Sequence, residues 1–144
     1  MSSGNLCIGL LILLVSGALS ITEQDKQMLL QLHNAARAKI LAGQVLGQPA
    51  AKYMPPMIWD DELAEKAQHW SNQCIAGHDS KFDRNTTRWS WVGQNFAGIK
   101  SVELGFTRWF EEYKSYNIYL PNCTGVCGHY TQVSTCISDS PGSF

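Results

Sequence analysis

The chain has 144 residues, of which 44% are hydrophobic, and its formal net charge at pH 7 is −1. This length suits a single domain, and the hydrophobic content is sufficient for a packed core. A charge this close to zero, without any run of basic residues, argues against nucleic acid as a partner.

The first twenty residues, MSSGNLCIGLLILLVSGALS, are typical of a secretory signal peptide. Leu6 to Val15 is almost continuously apolar, and the small residues Ala18 and Ser20 suit a signal-peptidase cleavage site. An uncleaved membrane anchor is the alternative, but the apolar run is shorter than the ~20 residues that a spanning helix needs. We therefore expect a secreted, extracellular protein without stable membrane insertion, whose signal peptide is residues 1–20.

The sequence allows two extracellular modifications, disulfide formation and N-glycosylation. Four cysteines in an oxidising compartment allow up to two disulfides, with three possible connectivities. Zinc binding is the alternative, although the cysteines include only one close pair and no CxxC motif. Two sequons predict N-glycosylation, at Asn85 and at Asn122. Glycosylation of Asn122 would compete with disulfide formation at the neighbouring Cys123. The four cysteines after the signal peptide are Cys74, Cys123, Cys127 and Cys136.

Two helices are predicted in the first half of the mature chain. The first begins after Thr22, with Asp25 in capping-box position, and its apolar residues share one face until Gly43. The second begins at residue 60 or 61 and carries one apolar stripe at steps of three and four residues. We expect it to end near Gly77.

A third helix and a strand are predicted in the second half. Ser101 caps the helix, whose apolar stripe runs to Tyr113 and which ends before Pro121. Residues 129–133 alternate in polarity, which predicts a strand. Because a lone strand leaves backbone donors and acceptors without partners, we expect partner strands to be encoded downstream of this sequence.

Three residues could carry chemistry. His78 follows a glycine at the end of a predicted helix, and His129 follows a glycine at the start of the predicted strand; both positions are close to loops, where sites are usually built. Glu112 lies among aromatic residues. Two histidines and a carboxylate suit zinc or acid–base catalysis, but each could equally make local hydrogen bonds. No motif for a nucleophile, a phosphate or a dinucleotide occurs, so no catalytic residue is assigned.

Six motifs, in this order, together resemble the superfamily of cysteine-rich secretory proteins, antigen 5 and pathogenesis-related 1 proteins (the CAP or SCP domain), and its venom-allergen-like members in particular. They are HNAAR, MIWDDELAEKAQHWSNQC, GHD, VGQNFA, RWFEEYKSYN and CGHYTQV. The resemblance covers about residues 25–133. It implies an α+β fold, a three-layer α-β-α sandwich around an antiparallel sheet, with the C-terminal strands missing or replaced in this chain.

The resemblance also implies a cavity lined by two histidines and two glutamates. The matching positions here are His78, Glu112 and His129, while Gln94 stands where the family has its second glutamate. The implied metal ligands are the two histidines and Glu112. Because Gln94 cannot supply a negative charge, we expect Zn or Mg to bind only weakly.

The implied function is that of a secreted, non-enzymatic binding protein. Its ligand would be a lipid, a sterol or an extracellular host protein, and immunomodulation is among the implied roles. The lipid would contact an aromatic loop containing Tyr113, Tyr116 and Tyr119, although packing in the core is the alternative for these tyrosines. The alternatives are a metal-dependent hydrolase that uses the histidine–glutamate cavity, a channel-blocking toxin, and a truncated product without function.

The family pattern breaks after residue 133. An apolar strand normally follows the GHYTQ motif, whereas residues 134–144 form a divergent polar tail after an incomplete CAP domain at 21–133. The resemblance implies a local disulfide between Cys123 and Cys127. The family partner of Cys74 would lie in the missing part, so Cys74 is expected to be free or bonded to Cys136.

Overall fold

A computed structural model describes residues 20–99 and 101–135, which form four α-helices and one small hairpin. The predicted signal peptide, except for its last residue, and residues 136–144 of the predicted tail, which include Cys136, lie outside these residues. Helices together with an antiparallel sheet confirm the α+β class, and within the described residues the hairpin is the whole sheet. The elements are α1 (Glu23–Leu41), α2 (Asp61–Ser71), α3 (Val102–Glu111), a 3₁₀ turn (Glu112–Ser115), β1 (Tyr116–Asn117), β2 (Asn122–Cys123) and α4 (Gly128–Ser134).

Helix α1 begins with the predicted capping box. The Thr22 hydroxyl accepts from the Asp25 backbone N–H at 3.1 Å, and the Asp25 carboxylate accepts from the Thr22 N–H at 3.2 Å. The helix runs to Leu41, and Gly43 follows with φ +66°, a left-handed conformation that glycine adopts without strain. The start of α1 is therefore confirmed, and its end lies within two residues of the expected position.

Helix α2 is shorter than predicted. It begins after Asp60, whose carboxylate caps the Leu63 N–H at 3.1 Å, and this bond lowers the pKa of Asp60. It ends at Ser71, not near Gly77, because the backbone leaves the helical region and reaches φ +54° at Cys74. The Trp70 indole donates to the Gly77 carbonyl at 2.9 Å and holds the returning loop against the helix.

Helix α3 ends at Glu111, well before Pro121. After the 3₁₀ turn, β1 and β2 pair antiparallel, with Tyr116 opposite Cys123 and Asn117 opposite Asn122. Ser101 caps α3 as predicted, since its hydroxyl accepts from the Leu104 N–H at 3.3 Å. The third helix therefore exists where expected, but the hairpin occupies the rest of the region.

Residues 128–134 form helix α4, so the strand predicted at 129–133 is wrong. Tyr130 and Val133 are each 2% exposed, and a helix places residues three apart on the same buried face. Glu112 accepts from the N–H of His129 at the start of α4 and Arg37 donates to the Val133 carbonyl near its end, so groups left open by this short helix are bound without a partner strand. Packing against α1 and α3 therefore overrides the alternating pattern.

The core consists of two clusters joined by α1 and α4. One contains Ile40 and Tyr130, and the other contains Ala36, Phe106 and Val133. Arg37, the neighbour of Ala36 on α1, is only 4% exposed, and its guanidinium donates to three backbone carbonyls. These carbonyls belong to Pro55, Val133 and Thr135, at 2.9, 3.0 and 2.8 Å respectively.

Candidate functional site

The four side chains predicted to line the cavity form two hydrogen-bonded pairs. In the first pair, His78 Nδ1 lies 2.7 Å from Gln94 Oε1. Since an amide oxygen only accepts, Nδ1 is the donor in this contact. His78 is exposed, and Gln94 is half-buried.

The second pair is Glu112 and His129. Glu112 Oε1 accepts from His129 Nδ1 at 2.7 Å, while Oε2 accepts from the backbone N–H groups of His129 at 2.9 Å and Tyr130 at 3.4 Å. Both side chains are largely buried, at 23% exposed for His129 and 16% for Glu112. Glu112 therefore takes the place of a local cap at the start of α4, where Cys127 makes no side-chain capping bond.

Segment 93–96 connects the two pairs. The Asn95 amide donates to the His129 carbonyl at 3.3 Å, and the Phe96 ring lies against His78 with 6.4 Å between centroids. Trp109 donates from its indole to the Phe96 carbonyl at 3.0 Å and stacks on the His129 ring at 6.0 Å. These contacts place both histidines around one short stretch of backbone.

These side chains do not form a ready-made metal site. Within residues 20–99 and 101–135, no group of three histidine, cysteine, aspartate or glutamate side chains is arranged to hold a metal ion. Glu112 accepts hydrogen bonds from His129 and from the start of α4, and it is not grouped with both histidines as a three-ligand zinc or magnesium centre. Weak metal binding stays a prediction to be tested by titration.

Sequence reasoning missed two residues of this site, Trp109 and Asn95. A signal for Trp109 was present, because it lies three residues before Glu112 and a helix puts such residues on one face. Asn95 carries a weaker signal as the neighbour of Gln94. Its Oδ1 is buried and makes no hydrogen bond among the described residues.

The three predicted lipid-contacting tyrosines have different environments. Tyr113 and Tyr116 are half-buried and pack against Tyr130, with ring centroids 6.2 and 5.9 Å away. Burial raises the pKa of Tyr130 to about 12, which reflects an apolar surrounding. Tyr119 instead lies at the tip of the hairpin and is 76% exposed.

The described cysteines agree with the pairing that the resemblance implies. Cys123 and Cys127 are joined by a disulfide with 5.9 Å between their Cα atoms. Cys74 is a free thiol in the described structure, and it is exposed. Both sequon asparagines are exposed, Asn85 in the loop after α2 and Asn122 in β2.

Comparison with known proteins identifies relatives across most of the chain. The Cysteine-rich secretory protein family (CAP) matches residues 30–137. The chain is 39% identical over 132 residues to Venom allergen 5 of Brachyponera chinensis, covering 78% of this chain and 65% of the relative. It is 38% identical over 129 residues to Venom allergen 5.02 of Vespa crabro, covering 81% and 62%.

Peptidase inhibitor 16 of Mus musculus is 35% identical over 120 residues, covering 79% of this chain and 21% of that protein. No solved structure is significantly similar. The chain spans less than two thirds of the length of the venom allergens that it matches. The family match extends over about three quarters of the chain and includes all six motifs. The chain is therefore a venom-allergen-like member of the Cysteine-rich secretory protein (CAP) family.

Proposed function

We propose that this protein is an exported, non-enzymatic binding protein that contacts lipid through the tip of its hairpin. One observation carries the proposal: Ile118, Tyr119 and Leu120 are adjacent and are 43%, 76% and 67% exposed. Exposed apolar side chains in a contiguous patch are typical of an interaction surface.

The hairpin presents these side chains in a fixed arrangement. Asn117 Oδ1 accepts from the backbone N–H groups of Tyr119 at 3.0 Å and Leu120 at 3.2 Å. The disulfide from Cys123 to Cys127 closes the base of the following loop. A preorganised tip loses little conformational entropy when it binds.

Charge favours lipid over a polar protein surface as the ligand. Residues 115–128 contain no aspartate, glutamate, lysine, arginine or histidine. Inserting this tip among lipid chains therefore desolvates no charged group. Tyr119 combines a large apolar ring with a hydroxyl, which suits the boundary between lipid chains and water.

The hydrogen bonds of Glu112 give it a structural role. Its carboxylate accepts three hydrogen bonds from His129 and the start of α4, and so holds that helix in place. The absence of a nucleophile motif from the sequence favours a non-enzymatic protein. We also propose that the protein is secreted and is glycosylated at the exposed Asn85. Mass spectrometry of the secreted protein would detect the mature N-terminus and the glycan.

Vesicle co-sedimentation tests the lipid contact. The full chain would be mixed with phosphatidylcholine vesicles, with and without cholesterol, and compared with Tyr119→Ser and Leu120→Ser. Each side chain contributes about 1.5–3 kcal/mol if it becomes fully buried, so we expect each variant to bind at least about tenfold more weakly.

Matched controls exist at distant exposed positions. Leu46 is 85% exposed and Phe82 is 78% exposed, so Leu46→Ser and Phe82→Ser remove similar apolar surface elsewhere. These variants should bind vesicles like the unaltered protein. Equal binding by all four variants and the unaltered protein would disprove the lipid contact at the tip.

A further inference from the structure

Asn122 lies beside the hairpin tip to which lipid contact is assigned above. It is exposed in β2 and begins the sequon Asn122-Cys123-Thr124. Only Pro121 separates it from Leu120, and two residues of extended chain span at most about 7 Å. A group attached to Asn122 is therefore carried next to the apolar side chains of the tip.

The register of the hairpin decides the face from which the Asn122 side chain leaves. Asn122 pairs with Asn117, and residues directly opposite in an antiparallel pair direct their side chains to the same face. Asn117 in turn reaches over the tip, because its Oδ1 accepts from the N–H groups of Tyr119 and Leu120. A group on Asn122 therefore emerges on the face where Asn117 holds the tip.

An N-linked glycan at Asn122 would change the chemistry of the tip. Residues 115–128 carry no charged side chain, so the unmodified tip enters lipid without desolvating a charge. A glycan is bulky and carries many hydroxyl groups, which would lose their water on entering hydrocarbon. The glycan would therefore hold Tyr119 and Leu120 away from the lipid chains.

The folded hairpin engages the same sequon. Tyr116 lies opposite Cys123, which is bonded to Cys127. The N–H and the hydroxyl of Thr124 both donate to the Ser115 carbonyl, at 2.9 and 3.4 Å. Because a sequon is modified where the chain is accessible, the glycan has to be attached before the hairpin closes. Disulfide formation and glycosylation therefore compete for the same few residues.

We propose that a glycan on Asn122 switches off the lipid contact, and that formation of the disulfide between Cys123 and Cys127 selects the unglycosylated, lipid-binding form. The inference rests on the proposed lipid function of the tip and adds its regulation. One chain would thus be secreted in two forms, which differ in their ability to bind lipid and in the group carried by Asn122.

Two asparagine variants test the switch on the full chain, secreted from cells that add N-glycans. Asn85→Gln leaves the sequon at Asn122. Asn122→Gln leaves the sequon at Asn85, in the loop that Thr87 ties to Glu62 of α2. Lectin affinity separates the glycosylated and unglycosylated fractions of each variant, and mass spectrometry identifies the modified residue. Both fractions are then sedimented with phosphatidylcholine vesicles, with and without cholesterol.

The two glycans should have different effects. The glycan on Asn122 should weaken vesicle binding at least about tenfold, the loss expected when one large apolar side chain is no longer buried in lipid. The glycan on Asn85 is the matched control, because it adds a similar group to another part of the fold. Its presence should leave vesicle binding unchanged.

Cysteine variants test the selection between the two forms. Cys127→Ala prevents the disulfide and keeps the sequon, so the glycosylated fraction of Asn122 should rise relative to that of Asn85 in the same molecules. Cys74→Ala removes an exposed free thiol and should leave both fractions unchanged. Mass spectrometry of cellular and secreted protein together measures these fractions, so the result does not depend on the folding of the variant.

Three outcomes would overturn the switch. The first is equal vesicle binding by the glycosylated and unglycosylated fractions of Asn85→Gln, which would leave the lipid contact itself standing. The second is the absence of a glycan from Asn122, even in Cys127→Ala. The third is a glycosylated fraction of Asn122 that Cys127→Ala does not raise. Failure of the unglycosylated protein to bind vesicles would instead refute the lipid contact, and the switch with it.

Discussion

Glu112 binds His129 through both of its carboxylate oxygens, one on the imidazole Nδ1 at 2.7 Å and one on the backbone N–H at 2.9 Å. The contact joins the end of α3 to the start of α4, two elements separated by the hairpin. The pair therefore sets the orientation of His129 and also stabilises the packing of α4.

Glu112→Gln should destabilise the fold by about 1–3 kcal/mol, because a neutral amide cannot accept all three hydrogen bonds with the strength of a carboxylate. Chemical denaturation measures the change. Glu111→Gln is the matched control, since Glu111 is exposed and pairs only with Lys114 at 3.2 Å among the described residues. Equal stability of the two variants would show that the Glu112 contacts contribute little.

Arg37→Lys should destabilise the fold by about 2–3 kcal/mol. A lysine ammonium cannot replace the planar guanidinium that donates to Pro55, Val133 and Thr135 from two different nitrogens. Thermal unfolding monitored by circular dichroism measures the loss. Arg108→Lys, on an exposed position of α3, should change the stability by less than about 0.5 kcal/mol.

Stability should fall as the pH drops below 6.5, in part because of His33. Burial lowers the pKa of His33 from 6.5, and the ring lies 4.6 Å from that of Phe106. Below pH 6.5 the unfolded chain therefore binds a proton that the folded chain resists, at a slope of at most about 1.4 kcal/mol per pH unit. Above this pH the contribution of neutral His33 to stability is fully present.

His33→Gln tests this contribution, with melting temperatures recorded between about pH 5 and pH 8. The decrease on acidification should be smaller than in the unaltered protein, whereas His69→Gln, at an exposed position of α2, should keep the full decrease. A decrease that is identical in both variants would assign the pH dependence to other groups.

Zinc should bind weakly, and Gln94→Glu should strengthen the binding by about tenfold or more. The new carboxylate would keep the hydrogen bond from His78, now 2.7 Å long to Gln94, and would add the missing negative charge. Isothermal titration of the folded protein measures both affinities. Gln73→Glu is the control, because it adds the same charge at an exposed position just after α2, away from the site. Submicromolar zinc affinity of the unaltered chain would contradict the prediction.

Helix starts were predictable from the sequence because their signals are local. Thr22, Asp60 and Ser101 each accept a backbone hydrogen bond from a residue three positions later, and that spacing is visible without any structure. Helix ends were less predictable. The end of α2 depends on the positive φ of Cys74, a residue type that rarely adopts this conformation.

Helix α4 was not predictable from local pattern, because its stability comes from distant residues. Its start is capped by Glu112 and its last carbonyls are bound by Arg37, neither of which is near in sequence. Likewise, the sequence named both histidines, Gln94 and Glu112 without showing how they pair. The partners lie 16 and 17 residues apart, so only the path of the intervening chain decides which of them meet.

The close approach of Gly93 to Gln132 joins the segment before Gln94 to helix α4. A Cβ at position 93 would overlap the side-chain amide of Gln132. Because the Gln132 side chain is exposed, it can turn aside into solvent. A larger residue at position 93 would therefore break this contact between the segment and the helix without requiring either backbone to move.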